Sequence, residues 1–283
     1  MTFPQAINEI EMIVIPILEL TSVFHRVNNV LPEDRDPVFV EYDTSVNQAL
    51  GLMKENNFSQ IPVKAGNEVL GIFSYRSFSS KVIEMIGEKI DFDLFPVGEF
   101  IEPVDFVDIL DDLTNSLDKL DKRDVVLVGN RNELRGLFTP IDLVNYLYKL
   151  SSPFILLGEI EGAIRNILRS CTTPGQLIEI ARLTLAQVYL PDRMPKSIEE
   201  MTFNDYVQII GDGRTWKSFE VVFMTGDLQR KRTRTKLEEI RDIRNDVFHF
   251  RREINEDDIK KLLSHRDWIK NVLTAYQAKK AKV

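Results

Sequence analysis

Residues 67–74 read NEVLGIFS, and residues 132–139 read NELRGLFT. The two stretches agree at a constant offset of 65 residues: Asn67 with Asn132, Glu68 with Glu133, Gly71 with Gly136 and Ser74 with Thr139. Upstream, Asp43 matches Asp108 and Val63 matches Val128 at the same offset. An ungapped match over such a span indicates one supersecondary unit used twice. Two stacked copies would share a pseudo-twofold cleft, which is the first place to look for a ligand.

Each copy reads as strand, helix, strand, strand, helix. In the first, the pattern predicts a strand over 37–40, a helix over 45–56, strands over 60–63 and 69–73 around an Ala-Gly-Asn turn, and a helix over 77–86. In the second it predicts a helix over 110–120, strands over 125–128 and 134–138 around Gly-Asn-Arg-Asn-Glu, and a helix over 141–149. Ahead of the repeats, Ile7, Ile10, Ile13, Val14, Ile17 and Leu18 predict a helix over 4–30, kinked at Pro16. PEDRDP at 32–37 reads as a linker. Pro153 marks a boundary after a short link over 149–153. Beyond it the pattern is helical: 154–168, then near 176–188 behind Thr173-Pro174, 204–210, 216–225, 233–250 and 256–277. The expected fold class is therefore α+β, with a helical lead-in over 1–34, a repeat pair over 35–150 and an all-α segment over 151–283.

Composition narrows the function. The chain has 283 residues, 43% of them hydrophobic, enough for two or three cores. A single cysteine, Cys171, excludes an intrachain disulfide and predicts a reducing, cytoplasmic setting. The longest apolar run, Met12 to Leu20, contains Pro16 and Glu19, so no membrane partner is expected, and no secretion leader is seen. The net charge of −8 hides an asymmetry. Residues 1–150 carry 13 Lys/Arg and 25 Asp/Glu, whereas residues 151–283 carry 23 and 19. A polyanion should prefer the back half. Three histidines and one cysteine without ligand-like spacing predict no metal site.

The stretches DTSVNQALGLMKENNFSQIPV (43–63), VLGIFSYRS (69–77) and LRGLFTPIDL (134–143) resemble cystathionine-β-synthase-type (CBS) domains. The resemblance implies a tandem pair packed as one module. It also implies clefts for an adenosine nucleotide (AMP, ADP or ATP) or S-adenosylmethionine as a regulatory ligand. The family's ribose signature falls on Gly136, Thr139 and Asp142, where a carboxylate can accept from both ribose hydroxyls and a helix start can face a phosphate. The first copy has Ser74 and then Ser77 in place of the aspartate, so its cleft is expected to be the weaker and to lack the charged clamp. Helix capping alone also accounts for Thr139-Pro140-Ile141-Asp142.

RDIRNDVFHFRR (241–252), with the helix FILLGEIEGAIRNIL (154–168), resembles the HEPN superfamily of small helical bundles. Many members are metal-independent ribonucleases with an Arg, four to six spacers and a His. The resemblance implies catalytic roles for Arg244, Asn245 and His249. On a regular helix Arg244 and His249 point about 140° apart, so a homodimer with a composite cleft is expected. RKRTRTK (230–236) supplies Arg230, Lys231, Arg232, Arg234 and Lys236, either a track for an RNA backbone or a solvated helix start or loop. Together these readings predict a nucleotide-gated endoribonuclease, and the resemblance to ribonuclease toxins implies a stress or defence setting. The rival is a non-catalytic sensor or scaffold whose bundle binds RNA or a partner protein.

Overall fold

A computed structural model describes residues 25–31, 37–87 and 91–281. The chain forms two compact units, Met1–Leu147 and Tyr148–Val283. Most of the helix expected over 4–30 lies outside the described residues, as does most of the 32–37 linker. The described part of that helix is not α-helical: Arg26 pairs with Asp112 in an isolated bridge, and Val27–Asn29 form a 3-10 turn.

The first unit holds two three-stranded sheets. In copy 1, β1 (Val40–Glu41) runs parallel to β2 (Gln60–Ala65), which pairs antiparallel with β3 (Glu68–Ser74). Helix α1 (Val46–Asn56) connects β1 to β2, and α2 (Tyr75–Glu84) follows β3. Copy 2 repeats this with β4 (Phe106–Val107), α3 (Thr114–Arg123), β5 (Val126–Asn130) and β6 (Glu133–Phe138). The hairpin registers coincide residue for residue. Ile61 faces Phe73 as Val126 faces Phe138, and Val63 faces Gly71 as Val128 faces Gly136. Even the bulge recurs, between Val63 and Lys64 and between Val128 and Gly129. A bulge changes which face each later side chain occupies, so its recurrence shows one hairpin design used twice.

The match between Asp43 and Asp108 does not survive. Val63 pairs with Val40 and Val128 with Val107, so the first strands lie 67 residues apart, not 65. The helix ends agree with this spacing: α1 stops at left-handed Asn57 and α3 at left-handed Asp124. The connection from helix to hairpin is two residues shorter in copy 2. For the same reason α3 begins later than the expected 110.

Each copy is completed by the segment that precedes the other. Val97 and Gly98 donate to Thr44 O and Tyr42 O, and Val46 donates to Phe95 O. The same three bonds recur as Val27 to Asp111 O, Asn28 to Ile109 O, and Leu113 to His25 O. Residues 25–31 therefore close copy 2, and residues 95–102 close copy 1. The apolar side chains follow: Val97 and Phe100 join the core of Val46, Met53, Ile61 and Phe73. Val27 and Val30 join that of Leu120, Val126 and Phe138. Between the sheets, Val69 and Ile72 pack with Val125 and Leu127.

Helix α4 (Pro140–Cys171) is continuous through Pro153, so the expected break and link over 149–153 are overturned. Proline removes the N–H that would reach the Lys149 carbonyl. Ser152 Oγ donates to that carbonyl at 3.2 Å instead. The unit boundary falls within this helix. In the second unit α5 (Pro174–Leu185), α6 (Phe203–Gly211), α7 (Trp216–Phe223), α8 (Asp227–Phe248) and α9 (Glu256–Lys280) follow. Ile160, Ile164, Ile167, Tyr206, Phe219, Leu237, Ile240 and Leu262 make a common core. The fold is thus α+β, with small mixed sheets and a helical C-terminal region.

Candidate functional site

The strand-to-helix turn of copy 2 carries the first candidate site. Gly136 is buried on β6, where the atoms nearest an added Cβ belong to the Leu31 side chain, the first at 3.1 Å. The strand ends at Phe138, and Pro140 opens α4, a position where a missing N–H costs nothing. Thr139 donates twice to Asp142 Oδ2, from its N–H at 2.9 Å and from its hydroxyl at 2.7 Å. Thr139 and Asp142 are therefore brought together as a helix cap, one of the two roles expected. The cap uses one carboxylate oxygen. Oδ1 receives no protein donor among the described residues and is free to accept from a diol.

The equivalent turn in copy 1 is differently filled. Ser74 and Ser77 form a neutral reciprocal cap: Ser74 N–H donates to Ser77 Oγ at 2.9 Å, and Ser77 N–H to Ser74 Oγ at 3.0 Å. The Ser74 hydroxyl donates to Glu102 Oε1 at 2.8 Å. Arg76 holds the other oxygen of Glu102 at 3.0 Å and Asp124 at 2.9 Å. Ser77 stands where copy 2 has Asp142, and the carboxylate that does reach this turn, Glu102, comes from the segment that closes copy 1. It is already neutralised by a guanidinium. Residues Arg76, Glu102 and Asp124 were not foreseen, and no local motif marks them.

The second candidate lies at the end of α8. The helix stops at Phe248, two residues before the expected 250. His249 is its C-cap, with its N–H on Asn245 O at 3.1 Å, and Phe250 follows at φ +49°. Arg252 fixes the turn by gripping Asp258 through two bonds of 2.6 and 3.0 Å and Asp246 through one of 2.8 Å. The Arg252 hydrogen bonds hold the Asp258 carboxyl below the usual carboxylate range. Arg244 lays its guanidinium over the Phe248 ring, 4.7 Å from the centroid, and its Nε is buried without a partner. His249 is exposed. No hydrogen bond joins the side chains of Arg244, Asn245 and His249 among the described residues. One chain thus presents the three groups along one stretch without closing them into a site.

The basic run is the first turns of α8, not a loop, and its charges do not form one track. Arg230 donates to Gly211 O at 2.7 Å and pairs with Asp227, which Lys231 also binds. Arg234 pairs with Glu238. Lys236 sits 4.5 Å over the Trp268 ring, and Arg232 is exposed. At 100° per residue these positions spread around the helix. Several of the five therefore serve packing and pairing within the bundle.

Among the described residues no cluster of three His, Cys, Asp or Glu could hold a metal ion, and no helix is long and apolar enough to cross a membrane. The Cys171 thiol is pushed up to about 11 by burial, which makes it a poor nucleophile. Hollows of about 350 and 700 Å³ indent the helical unit, and neither is lined by Arg244, Asn245 or His249.

Residues 29–84, which span copy 1, match the family model of the CBS domain. Three solved structures are similar to parts of the chain. CBSX2 in complex with AMP is 19% identical, over 45% of this chain and 98% of that one, with a TM-score of 0.38. The CBS domain of a bacterial CNNM/CorC family Mg2+ transporter in complex with ATP is 21% identical, over 46% and 91%, at 0.37. A CBS domain protein from Streptococcus pneumoniae TIGR4 is 14% identical, over 47% and 86%, at 0.39. No curated protein matches the chain.

Proposed function

We propose that the first unit is a regulatory sensor for an adenosine nucleotide, with one working site at Thr139 and Asp142. The observation that carries this is the inequality of two otherwise matching turns. Asp142 keeps an open carboxylate oxygen, whereas the carboxylate at Ser74 is consumed by Arg76. In this reading the ribose hydroxyls donate to Asp142, and the first N–H groups of α4 face the phosphate. AMP and ATP, bound by two of the similar proteins, and S-adenosylmethionine define the ligands to try. A ligand present at a hundred times its Kd stabilises its target by about 2.7 kcal/mol. Thermal shift should therefore rise with one of these ligands and vanish in Asp142→Ala. No shift with AMP, ADP, ATP or S-adenosylmethionine would end the reading.

The helical unit is, in the same proposal, a metal-independent endoribonuclease working as a homodimer. The observation favouring it is that Arg244 has no carboxylate partner among the described residues and lies five residues from an exposed imidazole. The RNA 2′-OH gives its proton to His249 and attacks the adjacent phosphorus. The bond to the 5′-oxygen breaks as His249 passes the proton on to that oxygen, leaving a 2′,3′-cyclic phosphate and a 5′-OH. Arg244 offsets the negative charge of the five-coordinate transition state, and Asn245 orients the phosphate. A second copy brings the Arg of one chain near the His of the other. Incubation of full-length protein with tRNA and a chelator should yield cyclic-phosphate ends, lost in His249→Ala and Arg244→Ala. RNA that is bound but intact would favour the scaffold reading instead.

A further inference from the structure

We infer that Phe250 is a base-stacking residue and that the helical unit takes unpaired RNA rather than duplex. The inference rests on the ribonuclease reading and adds to it the class of substrate. Phe250 stands at φ +49°, directly after the C-cap of α8. Glycine or asparagine normally fills that left-handed position, because a Cβ there crowds the backbone. Elsewhere Asn57 (φ +57°) and Asp124 (φ +61°) end α1 and α3 with short polar side chains, while Met224 (φ +76°) ends α7 with a flexible aliphatic one. A phenylalanine is tolerated when its ring is needed for packing, yet this ring is 84% exposed and joins no core. Neither backbone geometry nor burial accounts for it.

Its surroundings have the chemistry of an unpaired nucleotide site. Phe248, 45% exposed, lies beneath the Arg244 guanidinium and meets Phe154 edge-on at 5.6 Å. Arg251 is exposed and has no carboxylate partner among the described residues, unlike its neighbour Arg252. An imidazole, an exposed ring and a guanidinium without a carboxylate partner among the described residues therefore follow one another over residues 249–251, and Arg244 stacks on Phe248 in the last turn of α8 just before them. Rings of this kind bind bases through their π-faces, and the cations hold the flanking phosphates. In a duplex the base faces are already stacked, so an exposed ring gains nothing there. A base stacked on Phe250 would hold the neighbouring phosphodiester beside His249.

The test uses the full-length protein and a short unpaired 2′-O-methyl oligonucleotide carrying one 2-aminopurine. It cannot be cut, because the attacking hydroxyl is blocked, and stacking quenches its fluorescence. Phe250→Gly should weaken binding roughly 5- to 140-fold, the 1–3 kcal/mol of a stacked base at 1.4 kcal/mol per decade. Phe250→Trp should retain both affinity and quenching. The glycine variant should also melt about 2–4 °C higher, since it relieves the left-handed strain. A duplex of the same length should bind wild type and Phe250→Gly alike. Equal affinity of wild type and Phe250→Gly for the unpaired strand overturns the assignment while leaving the ribonuclease reading intact. Absence of any binding by wild type removes that reading itself. A shift of Phe250→Gly from dimer to monomer, measured by light scattering, also overturns the assignment, because the ring then covers a second copy.

Discussion

The two repeat glycines should respond differently to the same substitution. Gly71 and Gly136 occupy matching register positions, opposite Val63 and Val128. A Cβ on Gly71 would lie 2.6 Å from the Glu102 carbonyl oxygen, a backbone atom that cannot rotate away. Either the overlap is kept as strain, about 1–3 kcal/mol, or the 102 segment moves off. Moving it breaks the reciprocal bonds between Ile72 and Glu102, of 3.0 and 2.9 Å, each worth about 0.5–1.5 kcal/mol. The two routes cost about the same. The gain of Ala over Gly in a strand, about 0.5–1 kcal/mol, leaves Gly71→Ala destabilised by about 0.5–2 kcal/mol. Gly136→Ala meets first the end of Leu31, which can turn, and should be neutral or slightly stabilising. In urea, followed by far-UV circular dichroism, Gly71→Ala should lower the midpoint by roughly 0.25–1 M at a slope of about 2 kcal/mol/M. Hydrogen exchange should speed up at the Ile72 and Glu102 amides. Equal midpoints for the two variants, or unchanged protection of those amides, would refute the claim that residues 95–102 are docked tightly on copy 1.

Three further outcomes are expected. Ser152→Ala leaves the Lys149 carbonyl without its donor inside α4 and should cost about 1–2 kcal/mol by denaturant titration, whereas Ser151→Ala, with a weaker 3.4 Å bond, should cost less. Tyr206→Phe removes a fully buried hydroxyl that accepts from Arg165 Nε at 2.9 Å and donates to Ile198 O and Met201 O at 3.2 Å; a loss of about 1–3 kcal/mol should appear in the same titration, and a change under 0.5 kcal/mol would contradict it. Burial depresses the His265 pKa below 6.5, against the pull of Glu239 at 2.9 Å, so the unfolded chain binds the proton first; stability should fall as pH drops below about 6.5, and a His265→Gln variant should show a flatter profile over that range.

What was legible in the sequence was local. Each hairpin carries its own register signal, a glycine opposite a valine and apolar residues on one face, so the offset between NEVLGIFS and NELRGLFT predicted the observed pairing. The reciprocal closure was not legible, because its spacing differs from that of the hairpins. The first strands are displaced by 67 residues, and the 3-10 turns at Val27 and Val97 by 70. No single offset connects them, and Glu102 reached the Ser74 turn through that hidden correspondence. Pro153 misled for a different reason: the missing N–H was replaced by a neighbouring hydroxyl, which a rule about proline alone does not see.

The end of α8 shows where such reading stops. The Arg244-to-His249 spacing is plain in the sequence, but a helix terminus is normally announced by glycine or asparagine, and here the left-handed residue is Phe250. A helix that ran on to 250 would place His249 within its last turn. The observed stop instead puts the imidazole at a cap, between a guanidinium-covered ring and an exposed one. The departure from the expected terminus and the exposure of the ring are therefore one feature, and it falls in the stretch that carries Arg244, His249 and Arg251. The positive φ of Phe250, which buries no ring, is the observation from which the proposed stacking role starts.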